Sequence, residues 1–180
     1  MTDAVNRTER STDQRLVPAA MFFTVAVLIH GADHARRGVD SIGRDVFWAG
    51  TSSIALEVLV VVLVCQRHRL APLVATASGF GLAAGYLFVH FLPARGWLSD
   101  SFTSATQVSP LSWIAASLEV TAALTLGAAG LLALRARGGL SHATAPNPDE
   151  RTWRDGILHP AALAMIAGNA AILAVSFAQL

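Results

Sequence analysis

The chain has no lysine, a single cysteine and few charged residues of either sign. Its 13 basic residues are all arginines and its formal net charge is only +1, which excludes a broad basic surface for binding nucleic acid. The lone Cys65 excludes an internal disulfide and any zinc site built from cysteines. The sequence also lacks a GxxxxGK phosphate loop, a GxSxG nucleophile motif and an HExxH zinc motif. These absences leave catalytic residues and a substrate unassigned.

Apolar sequence is what the chain has in abundance. Hydrophobic residues make up 53% of it, charged residues make up 14%, and the mean hydropathy is +0.51. Soluble domains carry about 25% charged residues. The composition therefore indicates an integral membrane protein whose main partner is the lipid bilayer.

Five apolar segments are long enough to cross a bilayer, since a membrane helix needs about 20 residues. They are residues 16–35, 46–65, 71–92, 111–134 and 157–178. The clean apolar stretch of the first segment stops at Ile29, so a full crossing must include His30, Asp33 and His34. A polar start without a small-residue cleavage motif predicts a retained helix rather than a cleaved signal peptide.

These segments predict an all-α membrane protein made of a four-helix transmembrane bundle and a fifth, C-terminal transmembrane helix. The bundle would consist of two tandem helical hairpins, residues 16–65 and 71–134. Small residues around the predicted helix contacts, with Gly81 and Gly85 at a GxxxG spacing, indicate close helix packing. The predicted parts are a polar cytoplasmic tail (1–15), the bundle (16–137), a cytoplasmic linker rich in glycine and proline (138–156) and the fifth helix (157–180).

The distribution of arginine predicts the orientation of the chain. Nine of the 13 arginines lie in the N-terminal tail, the second loop and the fourth loop, and such loops stay on the cytoplasmic side. We therefore expect the N-terminus in the cytoplasm and the C-terminus outside, in the plasma (inner) membrane. The tryptophans flank the predicted membrane boundaries, with Trp48, Trp97 and Trp113 at the outer one and Trp153 at the inner one.

A histidine and a glutamate recur in each predicted hairpin. Glu57 follows His30 by 27 residues, and Glu119 follows His90 by 29. A carboxylate near the middle of a membrane helix costs about 2.5 to 3.5 kcal/mol, so two at matched places indicate a functional site. Similar short strings between the two pairs predict an internal repeat whose copies have the same orientation. Because side chains lean toward the N-terminal end of a helix, we expect each histidine to converge on the glutamate of its own hairpin.

The first hairpin adds two further polar groups beside its histidine. His30, Asp33 and His34 stand at i, i+3 and i+4, so all three project from one face of a helix end. An HxxxH pair commonly supplies two metal ligands, and carboxylates from adjacent helices can complete the site. The candidate metal ligands are therefore His30, Asp33, His34, Glu57, His90 and Glu119.

Imidazole and carboxylate ligands suit Zn(II), Fe, Mn or Cu(II), and disfavour Cu(I). Haem held between His30 and His90 ranks lower, because two nearby carboxylates would repel its propionates.

Three functions fit these patterns. The first is a membrane protein that binds a first-row metal for metal handling or redox chemistry. The second is an accessory or assembly subunit of a larger membrane complex, whose polar groups dock partner membrane subunits or further copies of the chain. The third is a small proton-coupled transporter in which Glu57 and Glu119 carry protons. The sequence leaves open whether the protein is an enzyme.

Overall fold

The computed structural model describes residues 2–93, 99–105, 107–140 and 149–178. Throughout these ranges the chain forms helices and turns and contains no strand. Five of the helices are long and apolar enough to cross a membrane. The predicted all-helical class is thereby confirmed, and five helices have the length and apolar composition of membrane spans.

The described helices follow one another as six α-helices with two short variants. They are α1 (Thr2–Arg37), a 3₁₀ turn (Val39–Ser41), α2 (Arg44–Gln66), α3 (Ala71–Tyr86) continued by a π-helical segment (Leu87–Phe91), α4 (Pro110–Ala136), α5 (Trp153–Ile157) and α6 (Pro160–Phe177). The candidate membrane spans within them are Arg15–Arg37, Arg44–Gln66, Ala71–Phe91, Pro110–Ala136 and Pro160–Phe177.

Helix ends differ from the sequence expectation in two places. The backbone of α1 is helical from Thr2, so most of the predicted polar tail continues the first span. The last span begins at Pro160 rather than at residue 157, because His159 takes the N-cap position and its ring nitrogen accepts a hydrogen bond from Ala161 N at 3.2 Å. Proline is favoured directly after such a cap, because its missing N–H has no partner inside the helix.

A short additional helix occupies the end of the predicted linker. Helix α5 begins after Thr152, which forms a capping box with Asp155. It packs on α2 through Gly156, where an added Cβ would lie 2.9 Å from both the Gln66 side chain and the Val62 carbonyl oxygen. Residues 141–148 of the predicted linker lie outside the described residues. The described end of the linker is thus attached to the bundle.

Helices α3 and α4 approach each other closely through glycines. A Cβ added at Gly79 would lie 2.4 Å from Gly127 N, and one added at Gly130 would lie 2.7 Å from the Pro72 carbonyl oxygen. Only residues without a side chain permit such backbone contact between membrane helices. This contact fixes the position of α3 along the axis of α4.

The first and last spans also pack on each other. A Cβ added at Gly168 of α6 would lie 2.4 Å from the Leu28 side chain of α1, and Gly31 of α1 faces Ile172 at 3.0 Å by the same measure. Helix α1 packs more extensively against α4 than against its sequence neighbour α2. The fifth span is therefore part of the bundle, and α1 lies between α4 and α6.

We predict that Gly79→Ala lowers the free energy of unfolding by about 1–3 kcal/mol, the usual cost of overpacking a tight contact. The matched control is Gly81→Ala on the same helix, where an added Cβ meets nothing within 4 Å. Alanine is the better helix former by about 0.5–1 kcal/mol, so the control is expected to be neutral or slightly stabilising. Thermal unfolding in detergent measures both, and equal losses in the two variants would contradict the packing described.

Candidate functional site

Two histidines of the site lie one turn apart near the end of α1. His30 is 4% exposed, and its ring centroid lies 4.6 Å from that of His34. Residues four apart in a helix project from one face. The i, i+4 spacing in the sequence thus produces the predicted pair.

The third histidine, His90, lies on the π-helical segment that continues α3. Its ring centroid is 4.8 Å from that of His30 and 5.5 Å from that of His34. One ligand atom from each of these three side chains lies within 4.8 Å of the others. Single π-helical turns inside α-helices are frequent at functional sites, because they shift the direction of the residues that follow. We call His30, His34 and His90 the histidine cluster.

The segment after the π-helical turn folds back onto His90. Asp100 N donates to the Val89 carbonyl oxygen at 3.1 Å, and Phe102 N donates to the His90 carbonyl oxygen at 2.9 Å. The Phe102 ring packs 4.7 Å from the His90 ring, centroid to centroid. These contacts cover the histidine cluster at the end of the bundle.

A buried ion pair anchors that segment to α1. Two guanidinium nitrogens of Arg37 donate to the two carboxylate oxygens of Asp100, each at 2.7 Å, and both side chains are almost fully buried. The Arg37 guanidinium also lies 5.3 Å from the centre of the Phe102 ring. Burial raises the pKa of Asp100, but hydrogen bonds from His90 and Arg37 outweigh it and hold that pKa at about 2. Asp100 therefore stays ionised at neutral pH.

A carboxylate lies close to Nδ1 of two of the three imidazoles, those of His30 and His90. His30 Nδ1 contacts Glu119 Oε2, and His90 Nδ1 lies 3.3 Å from the Asp100 carbonyl oxygen and 3.5 Å from its carboxylate. A proton on Nδ1 of either ring leaves the lone pair of its Nε2 free. Within the described residues, the buried atoms His30 Nε2 and His34 Nδ1 have no hydrogen-bond partner. The cluster thus contains buried imidazole nitrogens whose lone pairs are free to bind a metal ion or to accept a hydrogen bond.

The expected pairing of His30 with Glu57, the glutamate of its own hairpin, is wrong. His30 meets Glu119 of the other predicted hairpin, whereas Glu57 Oε1 accepts hydrogen bonds from Ser53 Oγ at 2.8 Å and from the Tyr86 hydroxyl at 2.9 Å. His90 Nδ1 lies beside Asp100, and His90 also interacts electrostatically with Glu119 of its own hairpin. The reason is that α1 packs mainly along α4, which turns the α1 histidines toward α4 rather than toward α2.

Asp33 lies at the edge of the site. Its Oδ1 accepts hydrogen bonds from the Arg36 guanidinium at 2.8 and 3.0 Å, and Arg36 also donates to Ser109 and Ser112 at the start of α4, each at 3.2 Å. Of the six predicted ligands, the structure brings together three histidines, with Glu119 in contact with His30. Asp33 is hydrogen-bonded to Arg36, and Glu57 is hydrogen-bonded to Tyr86, whose hydroxyl also interacts with Glu119.

A cavity of about 310 Å³ adjoins the histidine cluster and is lined mainly by α1, α2, α3 and α6. His30, His34, His90, Glu57 and Glu119 all contribute to its wall. Gly81 and Gly85 also line it, and a Cβ added at either would meet nothing within 4 Å. The interpretation of this GxxxG pair as a packing contact is therefore wrong, because the tight contacts of α3 are made on its other side by Gly79.

Two features of the site were not recognised as functional from the sequence. They are the Arg37–Asp100 ion pair and Tyr86, none of which is among the predicted ligands. Tyr86 had a usable signal, since it stands four residues before His90 and so shares a helix face with it. The ion pair had no comparable signal, because its two residues lie 63 positions apart in loops or helix ends.

The chain matches no protein-family model, and comparisons with curated proteins and with solved structures find no match. Its function is therefore inferred from the geometry of the site.

We predict that Arg37→Gln lowers the free energy of unfolding by about 3–5 kcal/mol, because Asp100 keeps a buried charge without its partner. Arg44→Gln, at an exposed arginine at the start of α2, is the matched control and is expected to change stability by less than about 0.5 kcal/mol. The double variant Arg37→Met/Asp100→Leu is expected to recover part of the loss, since neither charge remains. Chemical denaturation measures all three, and similar values for the two single variants would refute the role of the ion pair.

Proposed function

We propose that this multi-pass membrane protein binds one first-row transition metal ion through His30, His34 and His90, for metal handling or redox chemistry. The observation that carries the proposal is the histidine cluster, in which ligand atoms of three side chains from two helices lie within 4.8 Å of one another. Uncharged imidazole is a common ligand for such metals. Two buried nitrogens without partners among the described residues have the lone pairs that binding requires.

The spacing of the three imidazoles fits a metal after a small contraction. With all three separations at or below 4.8 Å, a central ion would lie no more than about 2.8 Å from each nitrogen. Zn–N bonds measure about 2.0–2.1 Å, so the rings need to close by about 0.7 Å at most. We expect rotation about side-chain bonds to supply such a movement without a change of the helices.

Glu119 and Asp100 act in this proposal as orienting groups. Metal-binding histidines usually donate their second ring N–H to a carboxylate, a carbonyl oxygen or water, which fixes the tautomer and raises the basicity of the ligand. Glu119 takes that role for His30 and Asp100 for His90. Three neutral imidazoles with a cavity on one side leave a fourth coordination position for an exogenous ligand.

Among the metals, imidazole favours Zn(II), Cu(II) and Fe over Mn, whose preferred ligands are oxygens. Haem held between His30 and His90 conflicts with their arrangement. Axial ligands stand on opposite faces of the macrocycle. These two rings instead contact each other at 4.8 Å with their planes at 71°. The proposal therefore concerns a non-haem ion.

The proposal places the site in the outer half of the plasma (inner) membrane. Its basis is the excess of arginine in the tail and in the loops at the opposite end of the bundle. Apolar side chains exposed along the spans, such as Val25, Leu59, Phe80 and Ile114, then face lipid. A metal bound there would be reached from the outer side or through the cavity.

We predict that purified protein carries about one first-row metal ion per chain, and that His30→Ala, His34→Ala and His90→Ala each remove most of it. The matched control is His159→Asn, at the N-cap of α6, where asparagine preserves the cap and the metal content should not change. Elemental analysis of the purified proteins gives the metal content and its identity.

A second measurement distinguishes a variant that fails to fold from one that folds but cannot bind metal. Added metal should raise the melting temperature of the wild-type protein and of His159→Asn, because it binds only the folded state. The cluster variants should show no such rise. Wild-type protein that stays free of metal and gains no stability on metal addition would overturn the proposal.

We predict unequal effects of the two intramembrane glutamates on metal binding. Glu119→Gln should weaken metal affinity about 10–100-fold, because His30 loses the carboxylate that orients it. Glu57→Gln should have a smaller effect, about threefold at most, because Glu57 contacts Ser53 and Tyr86 and reaches His30 only through Tyr86 and Glu119. Competition against a chelator measures both. Equal effects would instead favour the functional equivalence that a sequence repeat implies.

A further inference from the structure

The cavity beside the histidine cluster has a polar end, where one buried carboxyl oxygen lacks a hydrogen-bond partner among the described residues. Glu57 is 2% exposed and lines this cavity, and its Oε1 accepts both the Ser53 and the Tyr86 hydroxyl. Within the described residues, the buried Oε2 of the same carboxyl has no hydrogen-bond partner. A buried polar atom without a partner costs free energy, so a ligand that satisfies it binds favourably.

The cavity opens at the surface of the bundle between membrane-spanning helices. Gly50 of α2 and Gly81 and Gly85 of α3 line it, all three are exposed, and a Cβ at any of them would meet nothing within 4 Å. These glycines lie inside the spans Arg44–Gln66 and Ala71–Phe91. An occupant therefore enters from the lipid and has to be soluble in it.

The shape and chemistry of the walls restrict the occupant further. At about 310 Å³ the cavity is about twice the size of a 150 Å³ protein cavity that binds benzene. Apolar side chains such as Ile54, Leu82 and Ile172 form most of the wall, and Phe47, Tyr86 and His34 present rings to it. Aromatic rings attract one another in offset or edge-to-face contacts. A single aromatic ring or two fused rings would fill this space.

We propose that this cavity binds a lipid-soluble aromatic alcohol, of the phenol or hydroquinone class, with its hydroxyl group on Glu57 Oε2 and its ring between α2 and α3. A hydroxyl both donates and accepts hydrogen bonds, so it pairs with Glu57 whether the carboxyl is ionised or protonated. A carbonyl compound would pair with only one of these forms. The inference requires no metal at the histidine cluster.

The test uses chelator-treated, full-length protein in lipid nanodiscs, with 1-naphthol as the probe and naphthalene as its analogue without a hydroxyl. Empty nanodiscs give the partition of each compound into lipid. We expect saturable binding of one 1-naphthol per chain. After correction for partition, naphthalene should bind about tenfold more weakly, which is the effect of one hydrogen bond. In Glu57→Leu this discrimination between the two compounds should vanish, a readout that a general loss of stability would not produce.

A variant that fills the cavity provides a second test of the binding site. Gly85→Leu places an isobutyl group in the open space and should weaken 1-naphthol binding at least about tenfold. Ala84→Leu, at the exposed neighbouring position that does not line the cavity, is the matched control and should bind as the wild type does.

Three results would overturn the inference: uptake no greater than that of empty nanodiscs, equal binding of 1-naphthol and naphthalene to the wild type, or equal effects of Gly85→Leu and Ala84→Leu. Equal binding of 1-octanol would overturn the aromatic preference. Because the protein is metal-free in this experiment, its outcome is independent of the metal analysis, and either proposal can fail alone.

Discussion

The bidentate ion pair between Arg37 and Asp100 is the interaction on which the arrangement of the site depends. It joins the end of α1 to the segment that follows the π-helical turn, and it is shielded from water on both sides. Neither charge can remain buried without the other, so the pair fixes where α1 ends relative to that segment. Asp100 also faces His90, and Phe102 packs on the same ring. The ion pair thereby sets the position of His90 opposite His30.

The remaining constraints act through helix packing. Close glycine contacts hold α3 against α4, while the opposite side of α3 faces the cavity with Gly81 and Gly85, where an added Cβ would meet nothing within 4 Å. One helix therefore has a packed side and an open side, although both are rich in small residues. Several polar side chains around the cavity contact one another, as His30 does with Glu119 and Tyr86 with Glu57, which lowers the cost of polar groups inside a span. Among the described residues, Glu57 Oε2, His30 Nε2 and His34 Nδ1 are buried without a hydrogen-bond partner, and our two proposals assign ligands to them.

How far the sequence predicted the site depends on the separation of the residues concerned. The pair His30 and His34 followed from helical spacing alone, and the extent of the five spans followed from apolar length to within a few residues. The partner of each glutamate could not be obtained this way. It depends on which helix α1 packs against, and an apolar helix carries no local signal for that choice. The packing interpretation of Gly81 and Gly85 failed for the same reason, because the sequence pattern of a glycine pair is the same whether it contacts a helix or lines an open cavity.

The sequence by itself determined the all-helical class, the five helices of membrane-spanning length and the histidine and carboxylate groups within them, because these follow from composition and from spacing along a single helix. Tertiary structure alone decided that His90 joins the two α1 histidines, that Glu119 rather than Glu57 orients His30, and that a cavity opens beside them. These outcomes come from contacts between residues tens of positions apart. Helix packing and one buried ion pair select those contacts, and neither is encoded in any local pattern.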